Sequence, residues 1–145
     1  MDGIRVSHEQ YQQMLEHVSR ESPMEACGLL GGFLAPREHP SQHLVKQVVT
    51  IKNAAGSPVR FRMDPAEQVQ ALFGFEESGW ELLAIFHSHP DGPTGPSQID
   101  LREAAYPEAA QLIWFQDRAD WICRAYRYER GLAIEVKLSV GSGKE

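Results

Sequence analysis

The sequence predicts a mixed α/β domain: a curved sheet of about six strands, packed by two longer helices and one short one. Three observations predict it. Segments with apolar residues at helical spacing alternate along the chain with apolar, β-branched runs of strand length. Each helix-like segment follows its own start signal: Ser7, Asp64 with Pro65 behind it, and Ser97. The 145 residues contain no internal repeat, linker or low-complexity stretch, so a single domain over residues 1–145, with a real core, is expected.

The elements follow in order. Ser7 caps a helix over 8–19, with Tyr11, Met14, Leu15 and Val18 as its buried stripe and His8 and His17 on the solvent side. Pro23 closes that region. Residues 26–34 read as a strand whose glycines let another backbone come close. Gly28, Gly31 and Gly32 make no phosphate loop, because no Gly-Lys-Ser/Thr follows. Residues 36–42 are a polar loop; His39 and His43 lack ligand spacing and are read as structural. A second strand spans 44–51, a turn 53–58 and a short extended piece 61–63. Asp64 and Pro65 start a second helix, with Val69, Leu72 and Phe73 as its buried face, which ends before Gly79. Residues 80–86 form a central strand. A short helix after Ser97 runs to about 105, before Pro107. Strands over 111–115 and 121–128 form a hairpin, a last strand covers 132–140, and 141–145 is a frayed tail.

Composition sets the broad class. Hydrophobic content of 42% and charged content of 23% are ordinary for a globular protein. A net charge of −6 without a Lys/Arg block argues against nucleic acid or an anionic membrane as partner. No apolar leader or membrane-length run is present, so a cytoplasmic protein is expected. Two cysteines, Cys27 and Cys123, make no disulfide framework and fit a reducing compartment. Cys27 reads as a small buried apolar residue.

Chemistry concentrates between Phe86 and Asp100. The apolar run 82–86 delivers His87 and His89, which share one face of a strand. A Pro/Gly-rich loop follows, and Ser97 with Asp100 three residues on reads as a helix start. Two imidazoles and a carboxylate are a donor set that Zn²⁺ accepts, leaving a fourth position for a water that ionises near pH ~7. On the residues alone a duller reading also stands. Two histidines at a strand end are ordinary polar surface, and an acid in a first helical turn complements the helix dipole. Glu25, ahead of the first long strand, is on its own an unremarkable acid.

His87, His89, Ser97 and Asp100 stand in the pattern His-x-His, seven residues, Ser-x-x-Asp. Together with Ser88 and Pro90 this resembles the signature of the JAMM (MPN+) zinc metalloproteases, and the resemblance extends over about residues 4–138. It implies a cytidine-deaminase-like α/β/α fold and one catalytic Zn²⁺ held by His87, His89 and Asp100. It implies Glu25 as general base and then acid, and Ser97 as a donor to the oxyanion. Residues 53–65 would border the substrate groove. The chain looks like the minimal prokaryotic type, without the insertions of eukaryotic deubiquitinases. That type implies cleavage after the C-terminal glycines of a ubiquitin-like or sulfur-carrier protein, releasing a lysine side chain or a small amino acid such as cysteine. A non-catalytic MPN-type interaction scaffold is the alternative. A zinc deaminase needs His-x-Glu and a Pro-Cys-x-x-Cys that this chain lacks.

Overall fold

The computed structural model describes residues 2–35 and 41–141. The expected loop at 36–42 therefore falls largely outside the described residues, as do His39 and most of the expected tail. In chain order the elements are β1 (Gly3–Val6), α1 (His8–Glu21), β2 (Cys27–Phe33), β3 (Gln42–Ile51), α2 (Pro65–Glu77), β4 (Glu81–His89), α3 (Gln98–Arg102), β5 (Ala110–Asp117), β6 (Asp120–Glu129) and β7 (Leu132–Val140). The strands run in the order β1-β3-β2-β4-β5-β6-β7 and close into a barrel.

Closure corrects the expected sheet of about six strands. The seventh strand is β1, only four residues long, which pairs in parallel with both β3 and β7. Its extended form comes from partners about 40 and 130 residues further along the chain, which a short local pattern cannot reveal. Both longer helices and the short one form as expected, although α3 stops at Arg102. Beyond it the chain turns so that the Tyr106 hydroxyl accepts a hydrogen bond from Gln68 on α2 at 2.6 Å.

β2 and β4 lie side by side, antiparallel, and are buried on both faces, as their near-continuous apolar runs require. One face carries Leu30, Ala84 and Phe86 into a cluster with Met14 and Val18 of α1. The other carries Cys27, Leu29 and Ile85 into a second cluster with Ala71 and Phe75 of α2. α1 begins with a complete capping box between Ser7 and Gln10. His17 is half-buried rather than solvent-facing, its ring edge-on to Phe86 at 6.1 Å, and burial lowers its pKa. α2 is rotated from the expected phase: Val69 and Phe73 are exposed, and Phe75 takes the buried position. The Phe75 ring lies over Gly31, where an added Cβ would come within 2.5 Å of it. The missing side chain on β2 therefore sets the helix's rotation.

Cys27 and Cys123 are free. Among the described residues no helix is long and apolar enough to cross a membrane.

Candidate active site

The site sits where β4 leaves the barrel, and strand register builds it. Cys27 of β2 pairs with His87 of β4. Continuing the same antiparallel register by one residue sets Ala26 against Ser88, and two bonds confirm it. The Ser88 amide donates to the Ala26 carbonyl at 3.0 Å, and the Ala26 amide donates to the Ser88 hydroxyl at 2.8 Å. One residue further, Glu25 comes opposite His89. Alternation along each strand then puts Glu25, Cys27, His87 and His89 on one face. The loop after His89 returns the chain, and α3 begins at Gln98 with Ser97 as its cap.

The returning helix brings Asp100 onto the imidazoles. His87 Nε2 lies 3.2 Å and His89 Nε2 3.0 Å from Asp100 Oδ2, and the two nitrogens are 3.1 Å apart. Donors at ~2.0–2.1 Å around a tetrahedral zinc are separated by about 3.3 Å, so this triangle fits a small divalent cation. Nitrogen and carboxylate donors also suit the zinc class. A carboxyl oxygen of Glu25 lies within 4.8 Å of both imidazole donors, so His87, His89 and Glu25 form a further metal-compatible group. The Oε1 atom of Glu25 is buried with no hydrogen-bond partner, a polar atom aimed at a position some ligand should fill.

Neighbours fix the orientation of each group. His89 Nδ1 lies 2.9 Å from the carbonyl of Pro93, which can only accept, so Nδ1 carries a proton. Nε2 faces the cluster, where it donates to Asp100 in the charged ring and offers its lone pair to a cation in the neutral one. The His87 ring stacks on Phe61 at 4.4 Å and is 1% exposed. The Ser97 amide donates to Asp100 Oδ2 at 2.9 Å, while the Asp100 amide donates to Ser97 Oγ at 3.1 Å. That capping box spends an acceptor site of the Ser97 hydroxyl and leaves its proton free to donate.

Electrostatics separates the two carboxyls. Burial pushes Glu25 up to about 8, with the Asp100 charge adding to it and His89 opposing it. Burial would raise Asp100 too, but hydrogen bonds from His87 and His89 overcome it and hold that carboxyl well below the usual range. Burial lowers the pKa of His87. Burial also works against the charged form of His89, but its bond to Asp100 prevails and raises its pKa. Burial drives the Cys27 thiol up to about 12, so it carries no thiolate near neutrality.

All five residues singled out in the sequence thus meet in one place: Glu25, His87, His89, Ser97 and Asp100. Others were missed. Asn53, expected only in a turn, donates its amide to the carbonyls of Glu25 and Arg60, both at 3.0 Å, and its oxygen accepts from the amides of Ala55 and Arg62. It ties Glu25 to the segment that carries Phe61. An Asn opening a turn is a sequence signal for such bridging, but the partner 28 residues back is not local. A cavity of about 220 Å³ adjoins the cluster, lined by His87, Asp100, Phe61, Arg62 and Gln111 among others. Gln111 offered no pattern at all.

A strand-borne imidazole pair facing a helix-capping acid, on a closed mixed barrel, defines a class of metal-compatible α/β domain. The chain belongs to the family described as prokaryotic homologs of the JAB domain, which matches residues 7–128. The chain is similar to a CysO-cysteine peptidase of Mycobacterium tuberculosis, 30% identical over 88% of this chain and 84% of the relative. It is similar to a desampylase of Haloferax volcanii, 32% identical over 83% and 85% of the two chains. Among solved structures it resembles a protein of Desulfitobacterium hafniense, with a TM-score of 0.83 and 32% identity, covering 96% of this chain and 93% of that one.

Proposed function

We propose that the protein is a zinc-dependent peptidase or isopeptidase. Its reaction is hydrolysis of the amide bond after the C-terminal glycines of a ubiquitin-like or sulfur-carrier protein. The observation that carries this reading is the triangle of His87, His89 and Asp100 donors, none more than 3.2 Å apart, beside a buried carboxyl. Zinc held there supplies Lewis acidity at the scissile carbonyl and brings the pKa of water near 7.

The chain's own residues do the rest. Glu25 takes a proton from the attacking water and returns it to the departing amine. One carboxylate beside that water can serve both halves of the exchange in turn. The Ser97 hydroxyl donates its free proton to the oxygen of the tetrahedral species, a contact worth ~3 kcal/mol of barrier. Phe61 and the buried strand ends keep bulk water away, which strengthens each of these interactions. The named relatives, a CysO-cysteine peptidase and a desampylase, support a carrier-protein conjugate as substrate. Glycines at the cut bond suit a narrow groove, since a chain without side chains can lie close to a wall.

Metal analysis of the purified protein, with incubation on carrier–cysteine and carrier–lysine conjugates, tests the reading. The expected result is stoichiometric metal and cleavage that chelation abolishes and zinc restores. Failure of the metal-loaded protein to cleave either conjugate overturns the reading. Absence of stoichiometric metal favours a protein-interaction scaffold instead.

A further inference from the structure

We infer that the cavity beside the ligand cluster selects a free amino acid as leaving group, with Arg62 binding its α-carboxylate. This rests on the peptidase reading and names the leaving group that reading left open. The cavity, about 220 Å³, opens onto His87 and Asp100. It is smaller than the ~300–1,000 Å³ of pockets for drug-sized ligands, a size suited to one residue.

Its lining offers donors to an anion. In a chain of net charge −6, two guanidiniums, Arg60 and Arg62, line this one cavity. Arg60 is committed to Glu103 at 2.7 Å, which also neutralises the acid at the rim. The Asp100 carboxylate is committed to the histidines. Arg62 has no hydrogen-bond or ion-pair partner for its side chain among the described residues. At depth, Gln111 is 4% exposed, lines the cavity and has no partner for its amide among the described residues. It pairs in register with Ile85, two residues before His87, and so shares the face on which the histidines stand.

In a peptide bond to a free amino acid, the α-carboxyl carbon is two bonds from the scissile nitrogen. His87 and Asp100 of the cluster line the same cavity as Arg62, so a carbonyl at the cluster directs that carboxylate into the space that Arg62 borders. An isopeptide-linked lysine presents four methylenes there instead, which satisfy neither Arg62 nor Gln111. Arg62 gives the carboxylate a bidentate partner, and Gln111 meets a polar group of the side chain or its water. In the reaction the acyl C–N bond breaks and a C–O bond from water forms. The amine leaves with a proton, and the product is a zwitterionic amino acid whose carboxylate stays on Arg62 until release.

The test uses acetyl-Leu-Gly-Gly-Ala with a free or an amidated C-terminus, and the same acyl tail on the ε-amine of a lysine capped at both α-groups. On the zinc-loaded protein, kcat/KM for the acid should exceed that for the amide by about tenfold or more, as for a charge-assisted contact at a half-open site. Arg62→Met should erase the preference while zinc content and melting temperature hold. Equal cleavage of acid and amide by the wild type overturns the inference. So does a preference that survives Arg62→Met, or faster cleavage of the capped-lysine substrate. The peptidase reading stands or falls with the carrier conjugates; should none of these short peptides be cleaved, the inference is decided by their binding on zinc-loaded Glu25→Gln protein. There, a dissociation constant about tenfold lower for the acid, lost in the Arg62→Met background, supports it, and equal constants overturn it.

Discussion

The hydroxyl of Ser88 accepts the amide hydrogen of Ala26 at 2.8 Å, and both groups are buried. Partners 62 residues apart in the chain thereby lock the strand end that holds Glu25 against the strand end that holds both histidines. Ser88→Ala leaves the Ala26 amide buried without a partner, at a cost of ~1–3 kcal/mol. The expected outcome is a lower melting temperature and a fall in kcat of about tenfold with zinc retained, because Glu25 loses its fixed distance from the cluster. Unchanged turnover in a variant of lowered stability would restrict Ser88 to folding.

The convergence of two carboxyls on one imidazole pair makes the ligand set a measurable question. If His87, His89 and Asp100 hold the ion, His87→Ala and Asp100→Asn lose stoichiometric zinc. Glu25→Gln then keeps zinc and loses turnover by about 10²–10⁴, the usual worth of a positioned acid or base. Metal content by mass spectrometry beside single-turnover rates separates the roles. Loss of zinc in Glu25→Gln as complete as in His87→Ala would make Glu25 a ligand and remove it as the base.

Glu25 also gives the metal-free protein a pH-dependent stability. Its carboxyl stands at about 8 in the folded chain against an ordinary 4.5, so the native state holds the proton more tightly than the unfolded one. This stabilisation is fully present below about pH 4.5 and drains away as the pH rises to about 8, where a desolvated charge must be carried. Chelator-treated wild type and Glu25→Gln should therefore unfold alike near pH 4.5. At pH 8 and above the variant should be the more stable, by an amount on the order of a few kcal/mol. Denaturant titrations across that range read the difference, and parallel curves would show that Glu25 is not buried as a neutral acid.

How much of this was legible in the sequence depends on how far apart the partners lie. His87, His89, Ser97 and Asp100 fall on one strand, loop and helix start, so their meeting follows from local periodicity and a capping signal. Glu25 joins them only through the pairing of β2 with β4, and the residues around it gave no reason to pick it; the family resemblance did. β1 was illegible because its four residues become a strand only between β3 and β7. The phase of α2 is not legible because Val69 and Phe73 are as apolar as Phe75, and the missing side chain at Gly31, whose place the Phe75 ring takes, decides among them. Gln111 is a polar residue inside an apolar strand, and it borders a cavity that no local pattern reveals.

Asn53 is the residue through which the base and the cavity wall are joined, and its removal should show in catalysis before it shows in binding of metal. Its amide donates to the backbone of Glu25 and Arg60, and its oxygen accepts from Ala55 and Arg62. Asn53→Ala breaks all four bonds, whereas Asn53→Asp keeps the two that use the oxygen and loses the two that tie Glu25 to the wall. If the amide's link to Glu25 matters for positioning, both variants should lose kcat by a similar factor of about ten, although Asn53→Asp retains more of the fold. Zinc content should hold in both, since no cluster atom touches Asn53. Thermal melts, metal content and kcat measured together decide it. A kcat for Asn53→Asp equal to that of the wild type would show that the turn, and not its grip on Glu25, is what Asn53 provides.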